Sequence, residues 1–133
     1  MISFRQVIKT IVLTILAILL SLGYASDVFA AEDDIQKEIL RYKTMAKANP
    51  NNPSVNYRLG ALYTSQKDYD LAIKHLKVTI ENSEGDYAAM NLLGWCYYRS
   101  GNMVDSKVMF EKVLTIEPDN GSAKRGLAKI AAN

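Results

Sequence analysis

The chain has 133 residues, which is enough for one small domain with a modest hydrophobic core. Its formal net charge is +2, and residues 31–133, which exclude Arg5, Lys9 and Asp27, hold 14 basic and 13 acidic residues. This near-neutral balance argues against bulk electrostatic binding to nucleic acid or to an anionic membrane surface. A single cysteine excludes an intrachain disulfide.

Residues 1–30 have the pattern of a secretory signal peptide. Two basic residues precede an uncharged, mostly apolar run over residues 10–23, and small side chains precede the bond that follows Ala30. We expect cleavage after Ala30, with a cut after Ala25 as the second choice. The leader is similar to bacterial export signals, which implies a periplasmic or secreted protein.

The alternative for this segment is an uncleaved membrane anchor. The apolar run is shorter than the roughly 20 residues that a bilayer span needs, which favours the cleaved leader. An uncleaved helix would hold the chain in the inner membrane, facing the periplasm. No cysteine follows the run at a position that would accept a lipoprotein anchor.

A first helix is predicted from Glu32 to Ala48. Two aspartates lie in its first turn, where the helix dipole favours negative charge, and Asn49 and Pro50 end it. Its apolar residues recur at three- and four-residue spacing, as expected for one face of a helix. They are Ile35, Ile39, Tyr42, Met45 and Ala46.

A helical hairpin follows. Its first helix begins at Pro53, which suits a first turn, and runs to about Gln66. Lys67 and Asp68 form the turn to a return helix. The inward residues of that return helix are Tyr69, Ala72, Ile73, Leu76 and Ile80. His75 lies off this stripe, so we expect a solvated surface residue; a lone histidine is not a metal site.

A second hairpin covers residues 87–100 and 103–116, and Asp86 is placed to cap its first helix. Asn120 caps a last helix over about residues 121–132. The apolar side of this helix is expected to pack back onto the preceding pair, while its polar side faces water. A stack of helices needs such a terminal helix to end without exposing its core.

The two hairpins repeat each other at one constant offset in the sequence, with the motif L-G-x-x-Y in both. The matching pairs are Leu59 and Leu93, Gly60 and Gly94, Tyr63 and Tyr97, Ala72 and Ser106, and Leu76 and Phe110. The small residues predict a close approach of the paired helices. Pro118 ends the second unit; Glu84 stands at that place in the first, where we expect Gly85 to supply the turn.

This pattern, with its period of about 34 residues, resembles the tetratricopeptide repeat family over roughly residues 33–132. The tryptophan that often precedes the family's leucine by three residues is replaced by Asn56 and Met90. The resemblance implies an all-α fold in which antiparallel helix pairs stack in a short right-handed superhelix, an α-solenoid. The predicted segments are a leader at 1–30, a half-repeat helix at 31–52, a first repeat at 53–86, a second repeat at 87–120 and a capping helix at 121–133.

The half repeat lacks its partner helix, because that helix would fall on the leader. Glu38 occupies its small-residue position, which makes sense if no helix packs there. Ile35, Ile39 and Met45 are then expected to be partly uncovered, and a patch of that kind invites association between copies.

Residues that could carry chemistry are few. Cys96 is interpreted as a small buried filler of the helix pair; the alternative is a thiol that forms an intermolecular disulfide. One histidine and one cysteine leave no evident acid–base pair, and neither a glycine-rich phosphate loop nor a haem motif is present in the sequence. We therefore expect no enzymatic activity, no metal and no cofactor.

The resemblance also implies a concave groove lined by the first helix of each pair. The groove residues expected to contact a partner are Tyr57, Asn91, Trp95, Tyr98, Arg125 and Lys129. Trp95 is the expected anchor, because tryptophan and tyrosine dominate binding hot spots; the alternative is that it packs between helices and strengthens the stack. Arg125 and Lys129 are four residues apart and share a side, where they could meet a carboxylate or remain solvated.

Some members of the family clamp a C-terminal carboxylate with lysine, arginine and asparagine at set groove positions. Those positions hold Tyr57, Ala61, Leu92, Ser122 and Gly126 in this chain. None of them matches, so we do not expect that activity.

We therefore expect a non-enzymatic protein–protein interaction module, an adaptor or scaffold, that binds a peptide or a segment of another protein in its groove. Two alternatives stay open. One is a structural protein that associates with copies of itself, and the other is a membrane-anchored scaffold.

Overall fold

The computed structural model describes residues 4–21 and 24–132, with the backbone alone over residues 24–29. Within these ranges the chain forms helices joined by short turns, without a strand. The helices are α1 (Phe4–Ser21), α2 (Tyr24–Ala48), α3 (Pro53–Ser65), α4 (Tyr69–Asn82), α5 (Tyr87–Arg99), α6 (Met103–Ile116) and α7 (Gly121–Ala131). They fall into two compact units, which divide between Glu38 and Ile39 inside α2.

The first unit contains α1, an 18-residue apolar helix without a buried residue. By length and composition α1 is the one helix among the described residues that could cross a membrane, a test that a signal sequence also passes. Helix α2 begins at Tyr24, earlier than the predicted start at Glu32. The residues between them include neither proline nor glycine, so nothing in the sequence stops the helix there. Ala30, the predicted cleavage site, lies inside α2.

The second unit is a short all-α solenoid in which α3 packs on α4 and α5 on α6, with α7 against the last pair. Helices α3, α5 and α7 begin at equal spacing along the chain, at Pro53, Tyr87 and Gly121. Each is capped by the side chain of the residue before it, which accepts a hydrogen bond from the backbone N–H of the third residue in the helix. These caps are Asn52, Asp86 and Asn120, and such a cap contributes about 1 kcal/mol to helix stability.

The paired helices approach each other closely at the predicted glycines. A Cβ atom on Gly60 would lie 2.6 Å from Cγ of Leu76, and one on Gly94 would lie 2.8 Å from Cε1 of Phe110. Ordinary packing distances between carbon atoms are about 3.5–4.0 Å, so a larger residue would displace these side chains. The prediction that both glycines lie at helix–helix contacts is therefore confirmed.

Turn geometry differs between the two hairpins. Gly85 has a φ of 75°, as the predicted turn requires, and Gly101 has a φ of 87° in the α5–α6 turn. The residue equivalent to Gly101 in the α3–α4 turn is Lys67, which has a φ of 62°. A side chain in this left-handed region costs about 1–2 kcal/mol, so the first hairpin carries backbone strain that the second does not.

His75 is not a solvated surface residue, and that prediction is wrong. It is half-buried, its Nδ1 lies 2.8 Å from Oδ1 of the buried Asn56, and its ring stacks on Tyr63 with 5.6 Å between the centroids. The reason is helical spacing: His75 lies three residues after Ala72 and four before Thr79, both of which are completely buried.

Two further predictions concern burial. Ile39 is 5% exposed, so the expectation that it is uncovered is wrong, whereas Met45 is 42% exposed and Ile35 is half-buried. Cys96 is completely buried, which confirms its interpretation as a small filler of the helix pair. Burial raises the pKa of the Cys96 thiol, which further disfavours the reactive thiolate.

Candidate functional site

Helices α3, α5 and α7 lie side by side, because each first helix contacts the first helix of the next pair. Side chains at equivalent positions on these helices therefore form rows across one surface of the second unit, which we call the groove. Thr64 and Cys96 join two of the helices. The Thr64 hydroxyl donates to the Gly60 carbonyl oxygen, so the Cys96 thiol is the donor in its 3.2 Å contact with Thr64 Oγ1.

A first cleft of about 400 Å³ opens where α3 and α5 begin. It is lined by the predicted groove residue Tyr57 and by Pro53, Ser54, Arg58, Ser83, Asp86 and Ala88. Tyr57 is half-buried in its wall. Arg58 is held by α2, since its Nε donates to the Tyr42 hydroxyl over 3.4 Å and its guanidinium lies 5.7 Å from the centre of the Tyr42 ring.

A second cleft of about 240 Å³ lies where α3 and α5 end. We call it the basic cleft, since it is lined by Thr64, Ser65, Lys67, Tyr69, Trp95 and Arg99. Two cations and two aromatic rings therefore line a space without a carboxylate in its wall. Sequence reasoning missed both cations, although one signal was available: a lysine stands at the turn position that is glycine in the second hairpin.

Trp95 links the groove to the core. Its Nε1 donates to Ser122 Oγ on α7 over 2.9 Å, and its ring meets the buried Phe110 edge-on, with 5.2 Å between the centroids. It also packs with the cluster of Phe110, Val113 and Ala123. The packing role considered as the alternative is therefore present, while the half-buried ring also lines the basic cleft.

Asn91 lies one helical turn before Trp95 on α5 and is half-buried. Its Oδ1 atom is buried and accepts no hydrogen bond. Leaving a buried acceptor unpaired costs about 1–3 kcal/mol. Rotation about the last side-chain torsion is soft, so the amide can turn toward a donor on a bound molecule.

Arg125 and Lys129 are both exposed on α7. Arg125 bends toward the start of its helix, where Nη1 lies 3.5 Å from the position of a Cβ atom on Gly121. Tyr98 is half-buried, and its ring contacts Trp95 edge-on at 5.7 Å. Asn91, Trp95 and Tyr98 thus lie on α5, with Trp95 and Tyr98 in contact, and the two cations lie on α7.

The positions of the carboxylate clamp have other uses in this chain. Ser122 accepts the Trp95 hydrogen bond, and Gly126 packs directly under the Phe110 ring, where a Cβ atom would collide with ring carbons. Among the described residues, no three histidine, cysteine or acidic side chains come close enough to hold a metal ion.

Comparison with known proteins identifies the family. The sequence profile described as tetratricopeptide repeat matches residues 64–130, half of the chain. The chain is 30% identical over 94 residues to RNA polymerase-associated protein CTR9 of Caenorhabditis elegans, and 28% identical over 92 residues to small glutamine-rich tetratricopeptide repeat-containing protein 2 of Saccharomyces cerevisiae. These alignments cover 70% and 69% of this chain but 8% and 27% of the two relatives.

Solved structures agree. The first repeat domain of Spaghetti (RPAP3), bound to the HSP90 peptide SRMEEVD, superposes with a TM-score of 0.71 at 21% identity, covering 85% of this chain and 90% of that one. The second repeat domain of human RPAP3, in complex with the HSP70 peptide SGPTIEEVD, superposes with a TM-score of 0.70 at 25% identity, covering 79% and 88%. The chain belongs to the tetratricopeptide repeat family and has the α-solenoid fold.

Proposed function

We propose that the chain is an adaptor that binds a peptide segment of another protein along the groove of α3, α5 and α7. The observation that carries the proposal is the unpaired Oδ1 of Asn91. Asn91 lies on α5 between Ala88, which lines the first cleft, and Trp95, which lines the basic cleft. An extended peptide offers backbone N–H groups that would pair with it. The groove rings of Tyr57, Trp95 and Tyr98 supply large contact areas with few rotatable bonds.

The comparisons support this proposal without naming the partner. Two similar structures are complexes with peptides, one from HSP90 and one from HSP70. The clamp positions of this chain do not match, so its partner is expected to be recognised by other contacts. An internal segment of a partner satisfies the same contacts as a terminal one, so the proposal does not require a free terminus.

Affinity capture with matched variants tests the proposal. The full chain, purified in a non-ionic detergent, is compared with Tyr57→Ala, Asn91→Leu and the control Val104→Ala, whose side chain is 76% exposed on α6. We expect both groove variants to lose a partner that the control retains, measured by quantitative mass spectrometry. If both groove variants retained every partner, the proposal that the partner binds in the groove would be contradicted.

The proposed location is outside the cytoplasm, with the N-terminal segment as a cleaved leader. The apolar α1 with its two basic residues supports either a leader or an anchor. N-terminal sequencing of protein from the periplasmic and membrane fractions distinguishes them. Ala31 at the start of periplasmic material supports cleavage, and Met1 on membrane-bound material supports the anchored alternative.

A second candidate function is self-association through α2. Met45 is 42% exposed, whereas the residues at the equivalent position in the next two units, Thr79 and Val113, are completely buried. Leu40 on the same helix is 67% exposed. Because Ile39 is buried, the informative variant is Met45→Glu. A dimer in light scattering that this variant dissociates supports self-association, and a wild-type monomer at micromolar concentration opposes it.

A further inference from the structure

The basic cleft differs in charge from the first cleft, which also lies between α3 and α5. The first cleft carries both a cation and a carboxylate, Arg58 and Asp86, whereas the wall of the basic cleft carries Lys67 and Arg99 without an acidic partner. The nearest acidic residues in sequence, Asp68 and Asp70, line a neighbouring depression, which shares Lys67 and Tyr69 with the basic cleft.

The Asp68 carboxylate has a structural role. Its Oδ1 accepts the backbone N–H of Leu71 over 3.2 Å and so caps α4. Ion pairs among the described residues include Lys37 with Asp34, Lys107 with Glu111, and Lys124 with Asp119, and neither Lys67 nor Arg99 takes part in these pairs. The charges of Lys67 and Arg99 are therefore available to a ligand.

Lys67 is retained at a cost. Its φ of 62° is a conformation that glycine adopts more readily, and glycine stands at the equivalent position of the second hairpin. Backbone strain of this kind is found at functional sites, where the side chain does something that glycine cannot do. In this chain Lys67 lines the basic cleft and adds a positive charge to its wall.

We infer that the basic cleft receives an acidic side chain, aspartate or glutamate, of the peptide bound in the groove. The inference rests on the proposed peptide-binding function and assigns a charge to one residue of the partner. Arg99 and Lys67 would donate to the carboxylate from two different elements, and the rings of Trp95 and Tyr69 would enclose its methylene groups. The site is separate from the clamp positions, which hold no cation in this chain.

Selection from a random library of displayed twelve-residue peptides tests the inference. The full chain in non-ionic detergent is compared with Arg99→Glu and with Lys67→Glu. The control is Lys112→Glu, which makes the same charge change at an exposed residue of α6. We expect wild type and control to select peptides with aspartate or glutamate at one position. Arg99→Glu is expected to lose that preference or to replace it with lysine or arginine.

Affinity measurements then use one selected peptide and its Glu→Gln or Asp→Asn form. Neutralising Arg99 by Arg99→Gln is expected to weaken binding of the acidic peptide about three- to fivefold, as for a partly exposed ion pair, and to leave binding of the neutral form unchanged. A phosphoserine form that binds while the carboxylate form does not would overturn the assignment of a carboxylate.

The outcomes separate the two claims. Selected peptides without an acidic preference, or a preference that survives both Arg99→Glu and Lys67→Glu, would overturn the basic cleft and leave the groove intact. Failure to select any peptide, or selection that Tyr57→Ala and Asn91→Leu do not affect, would overturn the groove and with it the cleft.

Discussion

The indole N–H of Trp95 on α5 donates a hydrogen bond to the hydroxyl of Ser122 on α7, with 2.9 Å between the heavy atoms. This bond joins two neighbouring first helices at the surface of the groove. The Trp95 ring at the same time packs on Phe110 in the core. One side chain therefore contributes both to the stability of the last repeat and to the wall of the basic cleft.

Removing the Ser122 hydroxyl is expected to destabilise the fold moderately. Ser122→Ala should lower the free energy of unfolding by about 1 kcal/mol, because the indole N–H loses its partner. Trp95→Ala should cost about 3 kcal/mol, because it also leaves a cavity against Phe110. Urea unfolding followed by far-ultraviolet circular dichroism measures both. Equal stabilities of wild type and Trp95→Ala would show that Trp95 does not pack as described.

Glycine at position 126 is expected to be required by the Phe110 ring. Gly126→Ala should destabilise by about 1–3 kcal/mol, because the added methyl group would overlap ring carbons. Gly121→Ala is the matched control on the same helix, since a Cβ atom there meets only Arg125 Nη1 at 3.5 Å. The double variant Phe110→Leu, Gly126→Ala should lose less stability than the sum of its single changes. Strict additivity would place the two residues apart.

The two hairpin turns give a prediction of opposite sign. Lys67→Gly should raise the free energy of unfolding by about 0.5–1 kcal/mol, because relief of the left-handed strain exceeds the extra entropy of glycine in the unfolded chain. Gly101→Lys should lower it by a similar amount. Thermal melts of both variants provide the measurement. If Lys67 serves the basic cleft, Lys67→Gly should bind an acidic peptide less tightly while melting at a higher temperature.

Stability should fall in mild acid because of His75. Burial, together with the positive charges of Lys74 and Lys43, lowers the pKa of His75 below its ordinary value of 6.5. As the pH falls, His75 is therefore protonated in the unfolded chain before it is protonated in the folded one. The stability that neutral His75 contributes is present above pH 6.5 and is lost as the pH falls through the lower pKa of the folded state. His75→Gln should show a smaller loss of melting temperature between pH 7.5 and pH 5. An identical loss in both proteins would assign the effect to other groups.

Most of the fold follows from periodicity, and the exceptions have local causes. The recurrence of Leu59, Gly60 and Tyr63 in the second hairpin was sufficient to predict the paired helices and their glycine contacts. The prediction for His75 is wrong because a polar side chain suggests solvent, whereas its three- and four-residue spacing from buried neighbours places it against α3. In the sequence, its partner Asn56 is notable only because it replaces the tryptophan that is common at that position. A hydrogen bond between two helices produces no periodic pattern, so the contact with His75 could not be predicted.

The groove was predictable in its rows but not in its chemistry. Repeat position alone indicates that Tyr57, Asn91 and Arg125 share one row. The basic cleft depends on a turn residue and on Arg99 in the last turn of α5, which lie outside the rows and come together only when the pairs stack. The unpaired Oδ1 of Asn91 likewise depends on what surrounds the amide in three dimensions.

Site-specific photo-cross-linking in cells tests most directly whether the groove is the binding surface. A photoreactive phenylalanine analogue replaces Ala88 in the groove or Val108 on the outer side of α6, both of which are exposed. We predict an adduct with another protein from position 88, competed by a selected peptide, and none from position 108. Adducts from position 108 alone, or adducts of the chain with itself from position 88, would contradict the proposed peptide-binding groove.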